Sequence, residues 1–237
     1  MSAPAQPRRA ALLVFAKQPE PGAVKTRLTA LLTPGEAADL YAAFLFDSLD
    51  AYRHLAETVP LDVRLYLAPS ARPAPEGFAP DGASVHAQRG DGLGARMLSA
   101  FVETFVAGYE RVAVIGTDHP TLPLAFVARA FEELAAPLSV VLGPSDDGGY
   151  YLLGMNEVYP QLFQDMTYSH PHVFAETLDR AQATGAAVSV LPPWYDVDTP
   201  DALGRLAADL ADGEAAHAPR RTRELLAILC EKYEALV

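Results

Sequence analysis

Residues 111–120 have the sequence RVAVIGTDHP, and this stretch decides the fold. Residues 112–115 are consecutive apolar or β-branched residues bounded by Gly116, which predicts a short strand buried on both faces. Asp118 follows where the backbone must leave the sheet. Because ligands of open α/β sheets bind outside the carboxyl ends of the strands, Asp118 is a candidate ligand for a cation that bridges to phosphates. The alternative is that it caps the helix expected near Pro123.

Strand and helix patterns alternate along the rest of the chain, which favours a mostly parallel sheet covered on both faces. The first helix has a clear start signal: Thr33 as N-cap, Pro34 at the first helical position and Glu36 completing a capping box. The expected strands are 11–16, 63–68, 84–88, 112–115, 138–142 and 188–191, and the expected helices are 34–57, 93–109, 123–135, 170–184, 200–212 and 222–237.

Size and composition limit the class of protein. The chain has 237 residues, 50% of them hydrophobic, which favours a single domain over residues 1–237. Residues 1–9 are expected to form a flexible leader and residues 213–237 a C-terminal helical extension, whose apolar face can pack on its own domain or on a second subunit as a homodimer. The 18 Lys and Arg residues against 30 Asp and Glu give a net charge of -12, which disfavours nucleic acid or a membrane surface as partner.

Cysteine usage and hydropathy favour a cytoplasmic protein. The single cysteine, Cys230, excludes an internal disulfide and fits a reducing compartment. No apolar run approaches the roughly 20 residues that a membrane-spanning helix needs. We therefore expect a cytoplasmic location.

The loop after the first strand carries three cations, Lys17, Lys25 and Arg27, around Gly22. Glycine allows a close backbone approach, and Lys25 and Arg27 can converge on a phosphate. The spacing is not that of a Walker A loop. A solvated basic loop is the alternative, but three clustered cations in so acidic a chain favour phosphate binding.

Residues 88–97, QRGDGLGARM, contain Gly90, Gly92 and Ala95, a formal match to the dinucleotide-binding fingerprint. The match does not follow the first strong strand, so it is weak evidence for a Rossmann oxidoreductase. The glycines can instead let the chain pass close to a base or ribose, with Gln88 as a hydrogen-bonding candidate. A plain glycine-rich turn before a helix is the other interpretation.

Two adjacent acids lie in SDDGGYY, residues 145–151, at the end of another expected strand. Asp146 or Asp147 can bind a sugar or acceptor hydroxyl, or act as a catalytic base. A tight turn that uses Asp and Gly for positive φ is the alternative.

A fourth strand-end loop, YDVDTPD at residues 195–201, contains Asp198 directly before the helix start at Thr199 and Pro200, so helix capping is one role for this side chain. If Asp198 instead faces Asp118, the two carboxylates can hold one Mg²⁺ or Mn²⁺ and leave positions for phosphate and water.

The histidines give weaker signals. His170 and His172 form an H-x-H pair without a third ligand at suggestive spacing, which favours a solvated helix entry. His119 lies beside Asp118, and the sequence assigns it no role.

Taken together, these loops resemble a bacterial family with the GT-A (nucleotide-diphospho-sugar transferase) fold. This family is glycosyltransferase-like, is of the radical-SAM/selenodomain-associated transferase type, and is related to the guanylyltransferases that build molybdenum cofactor and to 2-phospholactate guanylyltransferases. The resemblance implies a GT-A-like three-layer α/β/α sandwich. The matching segments are FAKQPEPGAVKTRL, GLGARM, IGTDHPTLP, GPSDDGGYYLLGM and YDVDTPDAL, within residues 15–203.

The resemblance also implies roles for individual residues. Asp118 and Asp198 correspond to metal-binding acids, and the three cations of the first loop fall where such enzymes hold nucleotide phosphates. Nucleotidyltransferases of this fold usually carry a glycine-rich first loop, whereas this loop is Pro-rich and has only Gly22. This difference leaves the choice between nucleotidyl and glycosyl transfer open. The resemblance implies a metal-dependent transferase, and the glycosyltransferase-like label of the family favours a nucleotide-sugar donor with a small-molecule acceptor. Nucleotidyl transfer to a phosphorylated acceptor is the alternative, and a non-catalytic nucleotide-binding module is the second.

Overall fold

The computed structural model describes residues 9–71, 73–75, 78–79, 83–211 and 219–233. Residues 1–8 of the expected leader, and residues 213–218 and 234–237 of the expected C-terminal extension, lie outside the described residues. The strands are β1 Ala10–Ala16, β2 Leu61–Leu67, β3 Ser84–Ala87, β4 Arg111–Ile115, β5 Ser139–Pro144, β6 Tyr150–Met155 and β7 Ala187–Val190. The α-helices are α1 Pro34–Ala56, α2 Leu93–Val106, α3 Leu124–Glu133, α4 Val173–Ala183, α5 Pro200–Ala211 and α6 Arg220–Lys232.

The strands form one sheet in the order β3-β2-β1-β4-β6-β5-β7. β6 runs antiparallel to both of its neighbours, β4 and β5, and the other pairs are parallel. The predicted mostly parallel sheet is confirmed. Because all strands except β6 run the same way, their carboxyl ends lie along one edge, and the loops that leave this edge build the candidate site.

β6 is a strand that the sequence pattern does not predict, because the expected strand at 138–142 is followed by turn residues. The chain reverses over residues 145–149, where Ser145 N donates to the Gly149 carbonyl at 3.0 Å. Gly148 has φ +88, and a Cβ there would lie 2.1 Å from the Pro171 carbonyl oxygen, so this position needs glycine. Residues 145–149 therefore form a turn, as one interpretation of the sequence allowed. The apolar run that follows them is β6, the second strand of a hairpin with β5.

Helices cover both faces of the sheet, as the α/β/α prediction requires. On one face, Leu12 and Val14 of β1 pack with α1 and α3. On the other face, Leu13 of β1 packs with α2 and α4. Both faces of the central strands are therefore buried, which is why these strands are continuous apolar runs. Among the described residues, no helix is long and apolar enough to cross a membrane.

The last helix packs on its own chain. Asp47 of α1, with only 4% of its side chain exposed, accepts hydrogen bonds from the backbone N–H of Thr222 at 2.8 Å and of Arg221 at 3.2 Å. At the other end of α6, Lys232 Nζ pairs with Glu36 at 2.5 Å. Glu36 also forms the predicted capping box with Thr33. We call this contact between α1 and α6 the helix clamp.

Candidate active site

Asp118 and Asp198 meet at the carboxyl edge of the sheet. Asp118 follows β4, and Asp198 lies directly before α5. Val197 N donates to the Asp118 carbonyl at 2.9 Å, which joins the two segments. The side chains of Asp118 and Asp198 are 39% and 35% exposed. The two carboxylates, which the sequence allows to face each other, contact one common partner, Lys25.

Lys25 lies between the two carboxylates. Its Nζ donates to Asp118 Oδ1 and, at 2.8 Å, to Asp198 Oδ1. Only 2% of its side chain is exposed. The Lys25 backbone is left-handed (φ 47, ψ 38) at the start of a short 3-10 helix, Thr26–Ala30. This conformation costs a non-glycine residue roughly 1–2 kcal/mol, which the surrounding contacts must offset.

Burial and ion pairing act in opposite directions on the pKa values of Lys25 and Asp118. Burial alone lowers the pKa of Lys25, but the charges and hydrogen bonds of Asp118 and Asp198 outweigh it, so the pKa is raised above its ordinary value. Burial raises the pKa of Asp118, but the charge and hydrogen bond of Lys25, with smaller effects of His119 and Lys17, outweigh it, so the pKa is lowered below its ordinary value. Lys25 and Asp118 are therefore both charged at neutral pH.

A cleft of about 520 Å³ opens beside this trio. The cations that line it are Lys17, Lys25, Arg27 and Arg96. Arg27 is 66% exposed and its Nη1 lies 3.8 Å from Asp198 Oδ2. Arg96, which the sequence analysis did not single out, is oriented by a 3.1 Å hydrogen bond from its Nε to the Gly90 carbonyl. Cations from the segment after β1 and from α2 thus line one opening.

Gln88 and Gly22, the two uncharged binding candidates, lie in different environments. Gln88 lines the cleft, but its side-chain amide donates to the backbone carbonyls of Tyr66 at 2.9 Å and Ala16 at 3.3 Å. Its NH₂ group therefore joins the ends of β1 and β2. Gly22 is not among the residues that line the cleft, and its φ of +79 is what requires glycine. The glycine-rich stretch of residues 88–97 follows the edge strand β3, not β1.

Asp146 and Asp147 line a second hollow of about 350 Å³ that shares Arg27 and Asp198 with the cleft. Arg205 Nη1 lies 3.2 Å from Asp146 Oδ2. Asp147 Oδ1 accepts from Gly149 N at 2.8 Å, so this side chain does stabilise the turn that the sequence offered as an alternative. The turn and the hollow are therefore compatible interpretations of the same residues.

Asp196 is a site residue that the sequence analysis missed. It is partly buried in the second hollow and accepts a 3.2 Å hydrogen bond from Ser145 Oγ. Burial raises its pKa, and the nearby charges of Asp147 and Asp198 raise it further. The only sequence signal was its place in the same YDVDTPD segment as Asp198.

His119 is buried beneath the site, with 8% of the residue exposed. Neither ring nitrogen has a hydrogen-bond partner within the described part of the chain. Burial lowers its pKa to about 4, and Lys25 lowers it while Asp118 opposes the shift. His119 is therefore neutral at pH 7. Sequence position showed that it was close to Asp118 but not that it was buried.

The model of a family described as "Uncharacterized protein conserved in bacteria (DUF2064)" matches residues 51–170, about half of the chain. A protein from Desulfovibrio desulfuricans G20, described provisionally as a nucleotide-diphospho-sugar transferase, is 31% identical with a TM-score of 0.84, over 94% of this chain and 97% of that one. A cytidylyltransferase from Leptospira borgpetersenii shares the fold at 11% identity and a TM-score of 0.55, over 96% of each chain. No curated protein matches the chain.

Proposed function

We propose that this chain, which belongs to the DUF2064 family of uncharacterised bacterial proteins, is a metal-dependent transferase that uses a nucleotide-sugar donor. The observation that carries the proposal is the meeting of Asp118 and Asp198, from two distant loops, at the mouth of a cation-lined cleft. The similarity to a provisional nucleotide-diphospho-sugar transferase supports the donor class.

The cleft suits the diphosphate part of such a donor. Its volume of about 520 Å³ is within the roughly 300–1,000 Å³ of small-molecule sites. The cations that line it (Lys17, Lys25, Arg27 and Arg96) can pair with phosphate oxygens, the arginines in bidentate fashion. Such a cluster in a chain of net charge -12 is a local exception to its acidic surface.

The two carboxylates also fit the divalent cation that the resemblance implies. Asp118 and Asp198 each place one oxygen on the same atom, Lys25 Nζ, so both can reach one small cation. Among the described residues no group of three His, Cys, Asp or Glu side chains could hold a metal. The two carboxylates of Asp118 and Asp198 alone still fit Mg²⁺ or Mn²⁺, because these ions take one or two carboxylates together with substrate phosphates and water. The ion, when bound, supplies Lewis-acid stabilisation of the departing diphosphate.

The chain's own residues then have separate tasks. Lys25 and Arg27 donate to the phosphate oxygen on which charge develops as the bond from the anomeric carbon to the diphosphate breaks. The acceptor hydroxyl oxygen bonds to that carbon, and its proton passes to Asp146 or Asp147. Arg205 orients Asp146, and the Gly149 N–H orients Asp147.

The charge of the second hollow supports glycosyl over nucleotidyl transfer. Nucleotidyl transfer needs a phosphorylated acceptor, and a phosphate would be repelled by a pocket with an excess of carboxylates. An uncharged hydroxyl group is not repelled. The charged residues that line the hollow are Asp146, Asp147, Asp196, Asp198 and Asp201 against Arg27 and Arg205.

The test is product release from a donor panel. Nucleotide sugars and, separately, nucleoside triphosphates are incubated with the protein and Mg²⁺ or Mn²⁺, and diphosphate and pyrophosphate are measured. We expect metal-dependent diphosphate release from at least one nucleotide sugar, lost in Asp118→Asn and kept in Asp50→Asn, a remote exposed carboxylate. Pyrophosphate release would instead support the nucleotidyl alternative. A nucleotide-induced rise in Tm without product release would support a non-catalytic module, and the absence of both product release and a rise in Tm with every nucleotide would overturn the proposal.

A further inference from the structure

We propose that Lys25 is an internal counter-ion that keeps a divalent metal off Asp118 and Asp198 until a nucleotide binds. This inference rests on the proposed function, because it concerns the order in which the same site is filled. It predicts that metal and nucleotide bind cooperatively, each weakly without the other.

The position between the two carboxylates is built for the Lys25 ammonium. Nζ contacts one oxygen of each carboxylate and lies 5.4 Å from the centre of the Phe44 ring. The side chain is almost completely buried, unlike Arg27 in the same loop, which is 66% exposed. Lys25 is therefore a fixed part of the site and not a surface lysine that happens to reach it.

A metal ion and this ammonium compete for the same oxygens. Two cations within about 4 Å of each other repel strongly, and the repulsion is greater when one of them is divalent. A metal that binds Asp118 and Asp198 together must therefore displace Lys25.

A displaced Lys25 needs another anion. Among the described residues that line the cleft, the only carboxylates are Asp118 and Asp198 themselves. Without a nucleotide the displaced ammonium would face the other cations of the cleft lining, Lys17, Arg27 and Arg96, and no further carboxylate of that lining, which is unfavourable. Donor phosphates in the cleft supply the missing anion, so the nucleotide makes room for the metal.

The experiment is a titration with MnCl₂ alone, in which free Mn²⁺ is followed by electron paramagnetic resonance. Lys25→Met removes the ammonium, and we expect it to bind Mn²⁺ at least about tenfold more tightly than the wild type. Lys17→Met is the matched control, since it removes the same charge from the cleft lining but leaves Lys25 in place. We expect it to change Mn²⁺ affinity by less than about twofold.

Two further variants show where the Mn²⁺ binds and provide a second test of the Lys25 charge. The double variant Lys25→Met/Asp198→Asn should lose the gained affinity, whereas a gain that persists there would place the Mn²⁺ elsewhere and overturn the inference. Lys25→Gln, which loses the charge but keeps a hydrogen-bond donor, repeats the test if Lys25→Met does not fold.

Equal Mn²⁺ affinity in the wild type and in the neutral Lys25 variants overturns the inference, whatever the donor panel shows. Failure of every nucleotide to bind overturns the proposed function, whatever the Mn²⁺ titration shows. The two failures are therefore distinguishable.

Discussion

The helix clamp and the candidate active site both join carboxylates to cations from distant parts of the chain, but they satisfy those carboxylates differently. In the clamp, Asp47 is 4% exposed and accepts from two backbone N–H groups as well as from the Arg221 side chain. In the site, Asp118 and Asp198 share one ammonium and remain 39% and 35% exposed to the cleft.

This difference in how the carboxylates are satisfied distinguishes the helix clamp, a structural cluster, from the candidate active site. Asp47 uses its oxygens to begin α6, where helical N–H groups otherwise lack partners, so it has little capacity left for a ligand. Asp118 and Asp198 keep oxygens facing an open cleft. Removing a carboxylate should therefore cost stability in the clamp and turnover in the site.

The largest expected effect is on catalysis at Asp118. In Asp118→Asn we expect turnover to fall by about 10³-fold or more, because both metal binding and the position of Lys25 depend on this charge. The free energy of unfolding should change by no more than about 1 kcal/mol, since Lys25 keeps Asp198 as a partner. Steady-state kinetics and urea unfolding measure the two quantities. A variant with normal turnover would contradict the assigned role.

Asp47→Asn should show the reverse pattern. We expect the free energy of unfolding to fall by about 3 kcal/mol, because a buried, hydrogen-bonded charge is removed from the start of α6, while turnover per folded molecule stays at the wild-type level. Asp50→Asn is the control, since Asp50 pairs with the same Arg221 but is 44% exposed and should cost less than about 1 kcal/mol. If urea unfolding gave equal losses of unfolding free energy for Asp47→Asn and Asp50→Asn, the buried carboxylate would contribute no more than the exposed one, which would contradict this account.

His119 connects the site to the pH dependence of stability. The pKa of His119 is about 4 in the folded protein and lies below the ordinary 6.5. The contribution of neutral His119 to folding stability is therefore complete above pH 6.5 and is lost as the pH falls towards 4. We expect a loss of about 2 kcal/mol at pH 5 relative to pH 8, measured by urea unfolding without added metal. His119→Phe should abolish this loss, and a variant that keeps the full loss would assign it to other groups.

Glu36 should give the smallest effect, at lower pH. The hydrogen bond from Lys232, with those from Thr33 and Tyr233, lowers the pKa of Glu36 from 4.5 to about 2. Its stabilisation is therefore present above pH 4.5 and lost as the pH falls towards 2. Between pH 5 and pH 3 we expect the Tm of the wild type to fall by a few degrees more than that of Glu36→Gln. Parallel Tm curves for the two proteins would show that Glu36 does not titrate in this window.

Local signals were enough to predict part of this structure. The capping box of Thr33 and Glu36 was predictable because its two residues lie three positions apart and belong to one helical turn. The α/β class followed from alternating patterns and is confirmed by the sheet and its two helical layers. β6 was missed because its apolar run directly follows turn residues, and strand direction depends on pairing with β4 and β5, which the segment itself does not encode.

The site was predictable only as a set of loops. That the loops leave the same sheet edge follows from parallel strands, so Asp118, Asp198 and Lys25 were all candidates. Their mutual contacts were not predictable, because Lys25 is 93 residues from Asp118 and 173 from Asp198. Nothing local marks Lys25 as buried, or its backbone as left-handed, since both result from the packing of the whole edge.

The most direct test is thermal unfolding of the wild type and Asp118→Asn with a panel of nucleoside diphosphates and nucleotide sugars, with and without Mn²⁺. At about a hundred times its dissociation constant a ligand adds roughly 2.7 kcal/mol to folding stability, which is readily measured as a rise in Tm. We expect a nucleotide and Mn²⁺ together to raise the wild-type Tm by more than the sum of their separate effects, and Asp118→Asn to lose that excess. No change in Tm with any nucleotide, with or without Mn²⁺, would contradict a nucleotide-dependent transferase site.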